Sequence, residues 1–409
     1  MPFDWPGFEA DLTAAAVTAV RTLVGSAAGQ QPYAVAFSEF YAETTGVIYL
    51  PNLALATEES VPEPSCRFSP PDWEFQDYEW SDTDANWGDR LVAAVSGLPR
   101  AQWEQAWERF AQAMLTIAAD VRTALVAEGT VPAEVVVYLD DEDGDLLERS
   151  LTPDELRRHF PEYVAADEAE QAVLALPVDQ RVAALAVASG LVPGPPGALG
   201  QERARALLLE LGEAAVPVAV AALKRRDTAW LGAKLLADLD IPSADVIDAL
   251  WAAAPLPGRG HDWAATALGR LGFGLELLAG DLPAESRAAA VTAPYRSFRD
   301  HGRSHRPLDY ALLAAGLADP AVAALAAEEL APGRGYCTVD TADLPGARSG
   351  LDHAEPVIRR HAVVVLGELI GPLGPEGLDP DEVAALRARI TDAAANDPDT
   401  EVRRLAAYR

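Results

Sequence analysis

Positive charge is what this chain has least of. Its 409 residues carry 32 basic against 63 acidic side chains, a formal net charge of −31, and Lys224 and Lys234 are the only lysines. Binding phosphates needs a clustered cationic surface, so no nucleic-acid partner is expected. An anionic membrane is disfavoured for the same reason, and no membrane partner is expected. Cysteine is nearly as scarce: Cys66 and Cys337 lie far apart and make no disulfide framework. No uncharged apolar run reaches the ~18 residues that cross a bilayer. The start, Met1-Pro2-Phe3-Asp4-Trp5-Pro6, lacks the charged and apolar regions of a secretion signal. The expected address is the cytoplasm.

Signatures of chemistry are missing as well. There is no Walker-type loop, no G-x-S-x-G elbow and no H-E-x-x-H pair. Gly272-Phe273-Gly274 lacks the third glycine and the preceding strand of a dinucleotide fingerprint. Asp140-Asp141-Glu142-Asp143-Gly144-Asp145 has the look of a calcium loop, but an EF-hand needs Gly sixth and Glu twelfth. Counted from Asp140, those places hold Asp145 and Leu151, so the run reads as a solvated turn. No metal and no cofactor are expected, and a catalytic role is not indicated.

What is present changes character near residue 165. Residues 1–165 hold 29 acidic and 9 basic side chains, a net of −20, with six of the nine tryptophans and eight of the ten phenylalanines. Residues 166–409 hold 34 acidic and 23 basic, a net of −11. Two domains are expected, 1–165 and 166–409. In the first, Leu12, Ala16, Val20 and Leu23 space a helix over 8–28. Residues 33–40 and 44–50 read as a hairpin turning at 41–43. Trp103, Trp107, Phe110, Met114, Ile117, Val121 and Leu125 predict one long helix over 100–128. Val135 to Leu139 is a buried strand, and Thr152-Pro153-Asp154-Glu155 opens a helix with a capping box. That order gives an α+β domain with a small antiparallel sheet.

The second part offers no strand. Apolar helices are predicted over 168–190, 200–211, 213–225, 228–239, 243–254, 261–271, 284–293, 307–317, 319–330, 354–371, 379–396 and 398–408, cut by Gly, Pro and Asp. Antiparallel helix pairs repeated in this way make a solenoid, so the chain is mainly α overall.

Three segments carry a repeat pattern. Leu207 to Leu223, with Leu211-Gly212-Glu213 at its turn and Val216-Pro217 after it, resembles the turn of HEAT-type repeats. Glu355-Pro356-Val357-Ile358-Arg359-Arg360-His361-Ala362 resembles the start of such a repeat, and Asp397-Pro398-Asp399-Thr400-Glu401-Val402-Arg403 repeats that start. In this pattern Asp caps a helix, Pro presets its first turn, and Arg one turn in bonds nearby carbonyls or the Asp of the adjacent repeat. The first part, over about 8–160, resembles the uncharacterised bacterial domain family DUF4303, through its helix, apolar hairpin and Ser69-Pro70-Pro71-Asp72-Trp73-Glu74-Phe75. That resemblance implies no catalytic residues. It implies an association with toxin–immunity neighbourhoods.

Two constellations are candidate binding sites. In residues 72–87, Asp72, Trp73, Glu74, Asp77, Tyr78 and Trp80 interleave carboxylates with large rings. Such a run suits a platform for a basic protein, with rings for contact area and carboxylates for steering. It equally suits a core whose charges point outward. The other is a basic island: Arg296, Arg299, His301, Arg303, His305 and Arg306. It suits a phosphate, a carboxylate or the acidic N-terminal domain of the same chain, or else a solvated inter-repeat loop. The expected function is protein binding, with a basic partner and, in its sharpest form, an immunity or antitoxin-like role. The alternatives are an enzyme of unrecognised type with its site at the domain junction, and a scaffold that recruits a client to the solenoid.

Overall fold

A computed structural model of the chain describes residues 3–41, 46–61, 63–255, 261–296, 306–331, 339–371, 374–375 and 377–409. The fold is mainly helical, with one four-stranded sheet near the N-terminus. The chain divides into two units, Met1–Tyr163 and Val164–Arg409.

The first unit is built on a sheet with its two faces covered. Its elements are α1 (Trp5–Ser26), β1 (Pro32–Ser38), β2 (Asn52–Thr57), β3 (Phe75–Asp77), α2 (Trp87–Val95), α3 (Arg100–Ala127), β4 (Val136–Asp140), α4 (Asp145–Ser150) and α5 (Pro153–His159). The strand order is β3-β2-β1-β4. Val35 pairs with Leu55 in antiparallel β2 and with Val137 in parallel β4. Because side chains alternate along a strand, Val35, Phe37, Leu53, Leu55, Val137 and Leu139 fall on one face. They pack with Phe8, Leu12 and Val20 of α1 and with Phe110, Met114 and Ile117 of α3. The opposite face, including Tyr33, Ala34, Ala36, Ala54 and Tyr138, packs with Trp73, Leu147 and Phe160. A strand buried on both sides reads as an unbroken apolar run, which is how β1 and β4 look in the sequence.

Two expectations need correcting here, and one helix is unforeseen. The antiparallel partner of β1 is β2, residues 52–57, and not 44–50, where Ile48 makes a single bridge and 42–45 lie outside the described residues. Asn-Leu-Ala-Leu-Ala-Thr has weak strand preference, yet its leucines meet the helices on one face while its alanines fit under Tyr33 and Trp73 on the other. Packing decides the strand there, not propensity. The sheet is mixed and not purely antiparallel, since β1 and β4 run parallel. The helix α2 is not signalled by the sequence pattern. The long helix α3 and the capping box at Thr152 and Glu155 are as read. Among the described residues α3 is the one helix long and apolar enough, by length and composition, to cross a membrane. Its apolar stripe faces the sheet, and Glu104, Arg109 and Arg122 on its other sides form ion pairs.

The boundary between the units falls within α6 (Pro161–Leu174). The helices that follow are α7 (Val178–Ala188), α8 (Gln201–Glu210), α9 (Val216–Ala222), α10 (Ala229–Leu239), α11 (Ala244–Ala253), α12 (His261–Leu268), α13 (Gly274–Ala279), α14 (Ala284–Thr292), α15 (Ala311–Leu317), α16 (Pro320–Glu329), α17 (Leu344–Leu351), α18 (Pro356–Leu369), α19 (Pro380–Asn396) and α20 (Thr400–Ala407). The segment 168–190 is not one helix: Pro177 removes a donor and splits it into α6 and α7. Pro307 has a similar effect, and α15 begins only at Ala311. Both α13 and α17 are too short and too rich in glycine to stand out as periodic runs.

In the second unit α10 packs on α12, α12 on α14 and α14 on α16, while α9, α11, α13 and α15 each pack against a member of that row. Near the C-terminus α17, α18, α19 and α20 pack in the same alternating manner. The approach of α9 to α10 depends on Gly232. A Cβ there would stand 2.6 Å from the Ala219 carbonyl oxygen and 3.0 Å from Ala222 Cβ. Gly232→Ala gains about 1 kcal/mol of helix preference but overpacks the contact at a cost of about 1–3 kcal/mol. The expected net is a loss near ~1 kcal/mol by denaturant unfolding. In α1 nothing lies within 4 Å of a Cβ at Gly25, so Gly25→Ala is expected to shift stability the other way. Equal shifts at both positions would remove the close-packing argument.

Candidate functional site

The acidic–aromatic run is split by burial. Trp73 and Trp80 are core residues, 3% and 5% exposed. Their indole nitrogens donate inward, Trp73 Nε1 to the Cys66 carbonyl at 3.0 Å and Trp80 Nε1 to the Pro51 carbonyl at 2.7 Å. The Trp80 ring meets Phe37 edge-on, with centroids 5.2 Å apart. The structure therefore gives these two rings to the fold and leaves the carboxylates outside. Asp72 and Glu74 are exposed, Asp77 is half-buried at the end of β3, and Tyr78 is 63% exposed.

Beside this run lies a groove of about 640 Å³. One wall is a single face of α1: Asp11, Ala14, Ala15, Thr18, Ala19 and Thr22 recur at helical spacing. The other wall is Asp77, the edge of Trp80, Asp82, Thr83, Asp84 and Ala85. Alanines make the floor and four carboxylates stand around it. Asp11 is anchored by Trp87 Nε1 at 3.0 Å, and Asp77 by the Glu79 amide at 3.0 Å. Asp82 and Asp84 are exposed and form no ion pair with a described residue. The buried Thr83 hydroxyl has no hydrogen-bond partner.

Seven of the unit's nine arginines are paired away from the groove. Arg21, Arg67, Arg100, Arg109, Arg122, Arg149 and Arg157 each pair with an acid outside the groove. The Arg90 guanidinium lies 3.7 Å from the centroid of the Trp87 ring. Of the groove residues, Asp77, Trp80, Asp82 and Asp84 lie in the run that the sequence singles out. Asp11, Thr18 and Thr22 were missed. Their signal was a stripe of small residues on one side of α1, which looks the same as a packing face.

Of the basic island, Arg296 lies in the second unit, paired with Glu329. Burial pulls its guanidinium below the ordinary arginine range. Arg299, His301, Arg303 and His305 lie outside the described residues. Arg306 donates to Asp240 at 2.7 Å. The turn at 140–145 is a cap: Asp141 Oδ1 accepts from the amides of Leu146 at 3.0 Å and Leu147 at 3.2 Å, opening α4. Among the described residues no group of three or more His, Cys, Asp or Glu side chains is arranged to hold a metal.

Comparison of the chain with family models, with curated proteins and with solved structures finds no match. The two resemblances rest on the residues quoted for them.

Proposed function

We propose that this is an interaction protein in which the α1 groove receives a basic segment of a protein partner, and in which the second unit is a HEAT-like helical array. The observation that carries the first half is the acidic groove: four carboxylates around an alanine floor, with seven of the unit's nine arginines paired to acids outside it. Lysine and arginine suit such a surface, because their methylene stems lie on apolar ground while the charged heads meet carboxylates. The net charge of the chain adds long-range attraction that speeds encounter. In its narrowest form the partner is a basic toxin-like protein, and that form rests on the DUF4303 resemblance.

The array reading is supported by a ladder of ion pairs. Arg203 pairs with Glu170, Arg270 with Asp238, Arg287 with Asp319, Arg348 with Glu382, Arg359 with Asp397 and Arg360 with Asp399. Partners in these pairs lie 32 to 39 residues apart. A helical repeat of that length, stacked on its neighbour, puts equivalent residues side by side.

The test is charge reversal. A labelled arginine- and lysine-rich peptide is titrated by anisotropy against the chain, Asp82→Lys/Asp84→Lys and the control Glu134→Lys/Glu142→Lys, which changes the same net charge at exposed sites. The groove variant is expected to weaken binding about tenfold or more, mostly through association rate and less at high salt. A basic partner captured from cells should be lost with the same variant. Equal weakening by both variants would mean that bulk charge alone attracts the peptide, and the groove reading would fall.

A further inference from the structure

A second cavity, in the helical unit, carries an observation independent of the groove. It has a volume of about 310 Å³ and lies where the ends of α10, α13 and α15 converge. Its apolar lining includes Leu275, Leu308 and Leu312, and its polar lining includes Asp240, Arg270 and Arg306. That mix of apolar wall and a few convergent polar groups is the composition of a small-molecule site.

The turn that carries Arg270 is specially built. Between α12 and α13 the chain kinks at Gly272, whose backbone is non-helical, within the stretch Gly269–Phe273. Three glycines allow it. A Cβ at Gly269 would stand 2.1 Å from the Ala290 carbonyl oxygen, and one at Gly274 would stand 2.5 Å from Leu312. Gly272 has φ +98°, and a Cβ there would stand 3.1 Å from Arg306 Nη1. The turn is thus wedged between α14 and α15, and Arg306 comes close over it.

Arg270 is the decisive residue. Its side chain is 8% exposed, and that of its partner Asp238 is 6% exposed. One bond joins them, from Nη1 to Asp238 Oδ1 at 2.6 Å. A guanidinium has five N–H donors, and the other four have no acceptor among the described residues. Buried arginines normally satisfy such donors, because leaving them dry is costly. Here Arg270 lines the cavity. At the same cavity Leu275 is 55% exposed, a large apolar side chain left uncovered.

We propose that this cavity binds a small carboxylate with an apolar body, its carboxylate accepting from Arg270 and its body lying against Leu275, Leu308 and Leu312. A planar guanidinium matches a carboxylate with two parallel bonds. The described charges favour a monoanion over a phosphate dianion, since Asp238 already pairs with Arg270 and Asp240 with Arg306. The volume holds roughly ten non-hydrogen atoms at the ~30 Å³ each occupied by a water molecule.

Phenylacetate is the probe, with phenylacetamide as its uncharged counterpart and inorganic phosphate as the dianion. Calorimetry and thermal shift on the full chain are expected to show phenylacetate binding and raising the melting temperature. The amide and phosphate are each expected to bind at least tenfold more weakly. Arg270→Gln is expected to weaken phenylacetate at least tenfold. Should that variant fail to fold, Leu275→Trp decides instead. It fills the cavity from an exposed position, leaves the ion pair intact, and is expected to abolish the binding. Absence of phenylacetate binding to the wild-type chain, or binding that Leu275→Trp does not change, would overturn the proposal. Either result leaves the groove of the first unit untouched.

Discussion

Replacing Arg359 by methionine is expected to lower the stability of the helical unit by about 3–5 kcal/mol. Arg359 is 8% exposed in α18. It donates from Nε and Nη2 to both oxygens of Asp397, at 2.8 and 3.0 Å, and from Nη1 to the carbonyls of His353 and Ala354, both at 2.9 Å. One side chain thus ties the turn before α18 to the turn before α20. Methionine keeps most of the volume and removes every one of those bonds. Asp397 then stays buried as an uncompensated charge, which is the expensive half of the loss. An exposed pair sets the scale: Arg404 and Glu401 lie one turn apart on α20, and Arg404→Met is expected to cost under ~0.5 kcal/mol. Chemical denaturation of the three chains gives the comparison. A cost below ~1 kcal/mol for Arg359→Met would show that the pair is solvated in solution.

The neighbouring pair gives this ladder a pH limit. The side-chain bond from Arg360, with the amides of Glu401 and Val402, holds Asp399 at about 2, against its ordinary carboxylate value. Asp397 is also held low: burial raises it, but the Arg359 bonds and the Asp399 amide outweigh that. A carboxylate depressed by folding stabilises above its unfolded value and loses that stability as pH falls through the folded one. The C-terminal helices should therefore loosen between about pH 4 and pH 2, before which they are insensitive to acid.

These ion pairs also show which parts of the molecule can be read from residues alone. The Arg359–Asp397 bond follows from local grammar: Asp caps, Pro begins the helix, and Arg one turn in reaches a neighbour. Caps, prolines and the spacing of α3 are one-dimensional signals, and so they survive in the sequence. The partner of β1 is not such a signal. Residues 52–57 become a strand because Leu53 and Leu55 find two helices while Ala54 and Ala56 find Tyr33 and Trp73, all distant in sequence. The fate of Trp73 and Trp80 is ambiguous for the same reason. Alternation of rings and carboxylates describes a binding platform and a core edge equally well until the indole donors are seen to point at backbone carbonyls. The cavity at Arg270 lies furthest from legibility. Gly272-Phe273-Gly274 looks like a failed nucleotide motif, yet it is the kink between α12 and α13, packed close to Leu312 and Arg306 some 30 to 40 residues later.

Asp140→Asn is expected to stabilise the first unit at pH 7, by about 2–3 kcal/mol, and to leave it nearly unchanged at pH 4. Asp140 ends β4, paired with Ser38 of β1. Among the described residues its carboxylate has no hydrogen-bond donor. Burial, and secondarily the charge of Asp141, pushes it up to about 6. At pH 4 the folded unit keeps Asp140 neutral at little cost. As pH rises to 6 the unfolded chain has already ionised this group while the folded one resists, so stability falls across that window and is flat above it. A shift of about two units corresponds to about 3 kcal/mol, and partial exposure screens some of it. Asparagine has nearly the same shape and no charge to desolvate, so the gain should appear only where aspartate is ionised. His159 acts in the opposite sense: burial, then Arg158, lowers it, and its contribution is lost as pH falls. It is present in both chains, so the difference between them isolates Asp140. Hydrogen exchange of the β1 and β4 amides at pH 4, 5, 6 and 7 reads the effect within this unit alone. A difference that persists undiminished at pH 4 would mean that shape, and not the buried charge at the end of the parallel pair, sets the cost.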